Sequence, residues 1–430
     1  MFRLNFIRIL RSSIVFLFIF SIFNDNLLVD SFGENALKAI FLVFILANLK
    51  RFYRNIMNVS MLSYIKPFFV FLTLTYFVML VNFSGFERLF ENSLLWVSML
   101  AIVVYFINYD LKEILLMIWI SLLLSAFYAF ISDPISQWTF RKTGGTGDPN
   151  EFAAQMLAVI PVAVYLFKTS KKLVYKIIFM AFSVPVFLYA IFLAGSMSSF
   201  LALGFLIPAV LIRNMSLSFT RSLIALGLGF MMFMITLLVF QEPLENTAAV
   251  QNMLGRTQET GTAQTRFDSW KAGINMFIDK PLLGVGMRQY AEYSPMYSKT
   301  FLSADSVAPH NMFIEVLAES GIIVFISFVL FLIDLLAKHF NEIRKSEYFW
   351  LYMSLLAYVL MGFTIGITYN KFFWLTVALI MNVHRQLRTE PFEKLVLEED
   401  GEVQNFASKI INIDIKENPQ ANRISRRKLT

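Results

Sequence analysis

The chain has 430 residues, of which 57% are hydrophobic and 16% charged. Its mean hydropathy is +0.63; no water-soluble globule of this length needs so much apolar surface. The net charge of +7 would suggest a nucleic-acid partner in a soluble protein. Here the basic residues fall on one side of a membrane pattern, so no nucleic acid is expected. Cysteine is absent, which removes disulfides, thiol nucleophiles and Cys-ligated metals.

Charged residues cluster between apolar runs of roughly 20 residues, the length that crosses a bilayer as a helix. The expected fold is therefore an all-α polytopic integral membrane protein with about twelve transmembrane helices. The first follows Arg3, Arg8 and Arg11 and reads as an uncleaved span, since NDNLLVDSF supplies no small-residue cleavage site. The spans fall near 12–29, 35–49, 65–83, 92–108, 113–131, 150–167, 173–193, 197–212, 220–240, 311–336, 348–368 and 371–384. The second, eighth and last are short enough to be tilted, broken or re-entrant. Lys50, Arg51, Arg54, Lys66, Lys168, Lys171, Lys172, Lys176, Arg213, Arg221, Lys338, Arg344 and Lys345 mark the inside loops and put both termini in the cytoplasm. Arg88, Arg141, Lys142 and Lys371 depart from that bias.

The chain divides into N-terminal spans (1–140), spans six to nine (141–240), a large, partly helical external loop (241–309), C-terminal spans (310–387) and a polar cytoplasmic tail (388–430). Within the external loop, Phe267, Trp270, Ile274 and Phe277 recur at helical spacing. Such a helix would lie along the membrane surface. Pro281 ends the pattern, and Gly284 and Gly286 permit a tight turn.

Four constellations could carry chemistry. In PHNMFIEVLAESG, Pro309 suits a helix's first turn, which puts His310 and Asn311 at its N-terminus, where free N–H groups favour an anion. Asn311, Glu315 and Glu319 share one face, and carboxylates at that depth usually face a polar cavity. A capping histidine with Glu315 hydrogen-bonded inside the bundle is the alternative. Arg256, Arg266 and Arg288, with Arg141 and Lys142, form a basic set on the outer side, suited to a pyrophosphate or else simply solvated. RKTGGTGDPNEFA, at 141–153, reads either as a ligand-wrapping loop, with Asn150 shaping it, or as a helix capped by Asp148 ahead of Pro149. GSMSSF, at 195–200, reads as turn chemistry. No metal-binding motif stands out, so neither metal nor cofactor is expected.

In this order the pieces resemble the O-antigen ligase and polysaccharide polymerase superfamily of bacterial envelope glycosyltransferases, over roughly residues 140–340. The resemblance rests on Arg266 and Trp270 ahead of Pro281, Gly284 and Gly286, followed by His310, Asn311, Glu319 and Gly321. GTGDPNEFA adds a Gly-Thr…Pro-Asn element, with Arg141 or Lys142 before it. Met197 stands where that family commonly has an arginine.

The resemblance implies a donor glycan on undecaprenyl pyrophosphate and an acceptor that is either lipid A-core or another lipid-linked repeat unit. It implies a site at the periplasmic face of the inner membrane, among membrane lipids. His310, Asn311 and Glu319 would be catalytic, the basic residues would hold the pyrophosphate, and Gly284 and Gly286 would shape the loop. The product would be O-antigen, capsule or exopolysaccharide. A transporter or flippase of lipid-linked oligosaccharides is the rival class, but it would spread polar groups through the spans.

Overall fold

In an apolar medium every backbone N–H and C=O must find a partner within the protein, and helices satisfy that locally. The computed structural model describes residues 2–83, 85–133, 141–213, scattered positions between 218 and 231, 261–298 and 308–388, and these form helices and loops. In order the helices are α1 (Phe2–Phe23), α2 (Asp25–Phe32), α3 (Glu34–Ile56), α4 (Val59–Val81), α5 (Phe86–Phe106) and α6 (Leu111–Ile131). Next come α7 (Pro149–Thr169), α8 (Leu173–Lys176), a π-helical turn (Ile177–Phe182), α9 (Ser183–Ala194) and α10 (Met197–Ile212). After α11 (Gly261–Asp279) and α12 (Tyr290–Tyr297) follow α13 (Met312–Ala337), α14 (Phe340–Lys345) and α15 (Phe349–Met361). A last helix, α16, begins at 371; residues up to 382 close one compact unit, Met1–Asn382. Of the second unit, residues 383–388 are described, and they are helical.

Among the described residues, six helices are long and apolar enough to cross a membrane: α4, α5, α6, α7, the run Leu173–Ala194 and α13. A seventh is reached if α1 and α2, bent by 99° at their junction, count as one broken span. The all-α membrane class is thus shown, while a count of about twelve is not shown among the described residues. α3 carries Lys38, Lys50, Arg51 and Arg54 along its length, the apolar parts of α10 and α15 are short, and most of 220–240 lies outside the described residues.

The core that holds α13 upright is aromatic. Phe71 of α4 lies 5.8 Å from Trp374 of α16 and 5.2 Å from Phe328 of α13, centroid to centroid, and Trp96 of α5 meets Phe71 edge-on. Each of these rings is nearly fully buried, and large aromatics contribute most of the area such a core removes from its surroundings.

The α1–α2 bend has a structural purpose visible in its contacts. Asn26 and Leu27 donate their backbone N–H groups to Gly145 O at 3.0 and 3.2 Å. The glycine loop 144–147 thus rests on the bend, and a Cβ at Gly145 would fall 2.3 Å from Asn24 Oδ1. Asp148 then caps α7, accepting from Asn150 N and Glu151 N with Pro149 in the first turn, as its sequence position suggested.

α13 is broken at Gly321, whose φ of 74° is left-handed. In a regular helix Ile322 N–H would donate to Ala318 O. Instead it donates to Pro281 O at 2.9 Å, while Ala318 O and Glu319 O accept from Val285 N and Gly286 N, also at 2.9 Å. Gly284 (φ +64°) and Gly321 lie against each other's strands of backbone: a Cβ on either would sit 2.3 Å from main-chain atoms of the other segment. Gly321→Ala should therefore cost the left-handed strain of about 1–2 kcal/mol plus a backbone displacement. Gly33→Ala serves as control, since its φ is +79° but nothing lies within 4 Å. In detergent, thermal melting of the full chain should shift by no more than roughly 2–4 °C for Gly33→Ala, while Gly321→Ala falls further or yields no monodisperse protein.

Candidate functional site

The opening of α13 is set by Asn311, whose Oδ1 accepts from Phe313 N at 2.9 Å and Ile314 N at 3.1 Å. Its Nδ2 donates to Phe363 O, and Met312 N donates to Gly362 O, which ties the helix start to the 362–370 segment. Pro309 is therefore not in the first turn, as its residue type had suggested; Asn311 is the better cap, and the helix begins after it. His310 is left outside, half-buried and in the left-handed region at φ 47°. That backbone is uncommon for a non-glycine residue and is held here by its surroundings.

Asn311, Glu315 and Glu319 do share a face, and all three are buried. Glu315 packs on Gly366, where an added Cβ would come 2.7 Å from its Oε1. Glu319 is surrounded by donors: Arg288 N and Tyr290 N, each at 2.9 Å, and the hydroxyl of Tyr369. Three donors on one buried carboxylate compensate its desolvation, and they fix the turn 286–290 on the kink of α13. Arg288 (φ 54°) is exposed at the top of that turn, so Glu319 holds its backbone while the guanidinium points outward.

α11 docks on α13 through its small face. Ala272, Met276, Val285, Tyr290 and Ala318 form a buried cluster, and a Cβ at Gly273 would come 2.4 Å from Ile314 Cγ2. Phe267, Ile274 and Ile278 remain exposed on the other side. Ser269 Oγ donates to Ala308 O at 2.9 Å, so α11 also holds the approach to His310.

This docking brings Arg266, half-buried, to His310 and Asp148, whose charges act on one another. Burial, and then the Arg266 charge, pushes the His310 imidazole below its ordinary value of 6.5, with Asp148 opposing. The group is thus a neutral imidazole beside a cation near pH 7, able to accept a proton.

The other predicted residues are spread around this centre. Arg141 donates to Ala194 O at 2.8 Å and to Asn150 Oδ1 at 2.9 Å, bridging the end of α9 to the start of α7. Lys142 donates from its ammonium to Ser132 O and from its backbone to Leu193 O. Gly284 and Gly286 form the turn under Glu319 described above, and Arg256 lies outside the described residues. In GSMSSF the turn is Gly195, left-handed at the end of α9, and Ser196; Met197 already begins α10.

Sequence reasoning missed a cavity of about 170 Å³ lined by Asp25, Glu151, Gln155, Tyr369, Asn370 and Lys371, among others. Glu151 and Gln155 lie one turn apart on α7, just below Asp148. The available signal was Lys371, a cation on the side where the short loops are poor in them.

The histidine environment can be read directly, because the chain has only His310, His339 and His384. With labelled histidine, NMR titration of the full chain should show one imidazole titrating below 6.5. Arg266→Ala should raise that value and Asp148→Asn should lower it further; a His310 signal indifferent to both would remove the electrostatic account of the cluster.

No curated protein matches the chain. Residues 182–329 match the O-antigen ligase family, a stretch that holds Arg266, the 281–286 turn, His310 and the kink of α13. This multi-pass membrane protein thus carries, over residues 182–329, a domain of the O-antigen ligase family, which is a family of enzymes.

Proposed function

We propose that the protein transfers a glycan from undecaprenyl pyrophosphate to a sugar hydroxyl at the outer face of a bacterial inner membrane, in surface polysaccharide synthesis. The observation that carries this reading is the placement of His310 at the mouth of α13, half-buried and within reach of the Arg266 charge. The acceptor hydroxyl gives its proton to His310 as its oxygen attacks the anomeric carbon. The bond from that carbon to the pyrophosphate breaks, and the electron pair leaves with undecaprenyl pyrophosphate, with inversion at the carbon. Arg266 and the exposed Arg288 neutralise the departing charge, a role for preorganised cations. Arg256 would join them from the same loop.

Asn311 and Glu319 act in this scheme by position. Asn311 sets the helix start next to His310, and Glu319 holds the turn that presents Arg288. Arg141 and Lys142, tied to carbonyls of neighbouring segments, order the rim near Asn150. About twelve crossings, with both termini cytoplasmic and the site facing the periplasm, fit this use of the outer loop. The acceptor is lipid A-core for a ligase, or a second lipid-linked repeat unit for a polymerase.

The test is a strain lacking the protein, complemented with wild type or His310→Ala. Loss of a general base typically costs 10²–10⁴ in rate, so His310→Ala should reproduce the deletion. Long unattached lipid-linked chains in both strains would make the protein a ligase, and single repeats a polymerase. A lipid-linked pool retained on the cytoplasmic face would support the transporter class instead, and an unchanged glycan profile in His310→Ala would sink the site. In membranes from the wild-type strain, kcat/KM for transfer should decline toward acid only below pH 6.5, since that ratio follows the donor-free protein, in which His310 is held below its ordinary value.

A further inference from the structure

The cavity beneath the cluster asks for an occupant. Its volume of about 170 Å³ is more than ten times what a single water needs, roughly 10–15 Å³ on the same measure. Gln155 lines it at 1% exposure, and its Oε1 has no hydrogen-bond partner. A buried acceptor left unmet costs about 1–3 kcal/mol, so this side chain points to a donor that arrives from outside the chain.

Charge decides what kind of donor. Asp25 and Glu151 face the space, and either would repel a phosphate or pyrophosphate. Lys371 stands opposite, near Asp25, and would repel a bare cation. A lipid tail would leave all of these groups desolvated without partners. Of the remaining lining, Tyr369 and Asn370 add a hydroxyl and an amide, and Ile22, Leu95 and Phe372 are apolar. Acceptors, an amide and a cationic donor in one space with hydrocarbon and an aromatic ring match a pyranose, which carries hydroxyls at its rim and C–H groups on its face.

We propose that this cavity is a binding site for one pyranose ring, with Gln155 Oε1 and the Asp25 and Glu151 carboxylates accepting from its hydroxyls and Lys371 donating to a ring or hydroxyl oxygen. The site runs inward from Asp148, the residue that caps α7 and shares its charge with Arg266 and His310. A ring held here belongs to a glycan whose next atoms reach His310. That last step rests on the glycan-transfer reading; the binding of a ring does not.

The test has two arms on the full chain in detergent. In the first, binding of the methyl glycosides of glucose, galactose, N-acetylglucosamine and glucuronic acid is followed by saturation-transfer NMR. At least one should bind to wild type and equally to His310→Ala, while Gln155→Leu weakens it tenfold or more and Gln155→Asn restores part of the loss. If none binds, or Gln155→Leu binds as wild type does, the cavity is not a sugar site, whatever the protein's activity. In the second arm, lipid-linked donor and acceptor from the deletion strain are supplied separately in varied amounts. Gln155→Leu should raise KM with kcat nearly unchanged, for the donor if the ring is the donor's and for the acceptor if it is the acceptor's. Unchanged KM for both would overturn the assignment of this ring to donor or acceptor while leaving the role of His310 standing. Sugar binding without any transfer by wild type would keep this site and overturn the transferase reading.

Discussion

The arrangement around the start of α13 depends on an exchange of backbone hydrogen bonds between the 281–286 turn and the kink at 318–322. A helix buried in an apolar bundle cannot leave carbonyls unpaired, so α13 can break at Gly321 only because another segment supplies the missing N–H groups. Val285 and Gly286 supply them, and Pro281 O takes the N–H that Ile322 no longer gives to its own helix. The approach is close enough that neither Gly284 nor Gly321 tolerates a side chain. This explains why a loop residue and a mid-span residue are both glycine, and why both are left-handed.

The consequences radiate from that contact. The turn's N–H groups at 288 and 290 close on Glu319, Tyr290 closes on Ser269, and Ser269 closes on Ala308. A chain of bonds therefore leads from the kink through α11 to the backbone beside His310. Arg266 and Arg288 are consequently presented by elements that share one anchor, and of the two it is Arg266 whose charge acts on the His310 imidazole. Polar groups below are arranged differently, with Asp25, Glu151 and Lys371 distributed around a cavity rather than aimed outward.

The sequence made much of this legible, but unevenly. Apolar runs revealed the all-α membrane class because length and hydropathy are local properties. The cap at Asp148 and Pro149 was readable for the same reason. Crossing number was less so: the 99° bend after Phe23 comes from contacts with the 145–147 loop, which lies more than a hundred positions away. The glycines of the 281–286 turn and Gly321 were visible as residue types, yet nothing local says that their backbones bond each other. Asp148 looked like a cap and is one; its charge on Arg266 appears only when α7 and α11 are brought together. The cavity was hidden for the same reason, since Asp25, Gln155 and Lys371 come from three distant helices.

On the glycan-transfer reading, the pairing of Arg266 with His310 also couples binding to chemistry. With the site open, the arginine's charge helps to hold the imidazole neutral, so the base is ready to accept. When a pyrophosphate neutralises that arginine, its repulsion of the imidazolium is lost and the imidazole becomes a stronger proton acceptor. An opposite charge close by adds to the shift in that direction. The base would thus be weakest when no donor is present and strongest once the donor is seated, without any movement of the chain. Asp148 limits the range of this effect from the other side, because its charge already opposes that of Arg266. One carboxylate, one guanidinium and one imidazole are enough for such a response, with Asp148 fixed as the cap of α7 and Arg266 carried on α11.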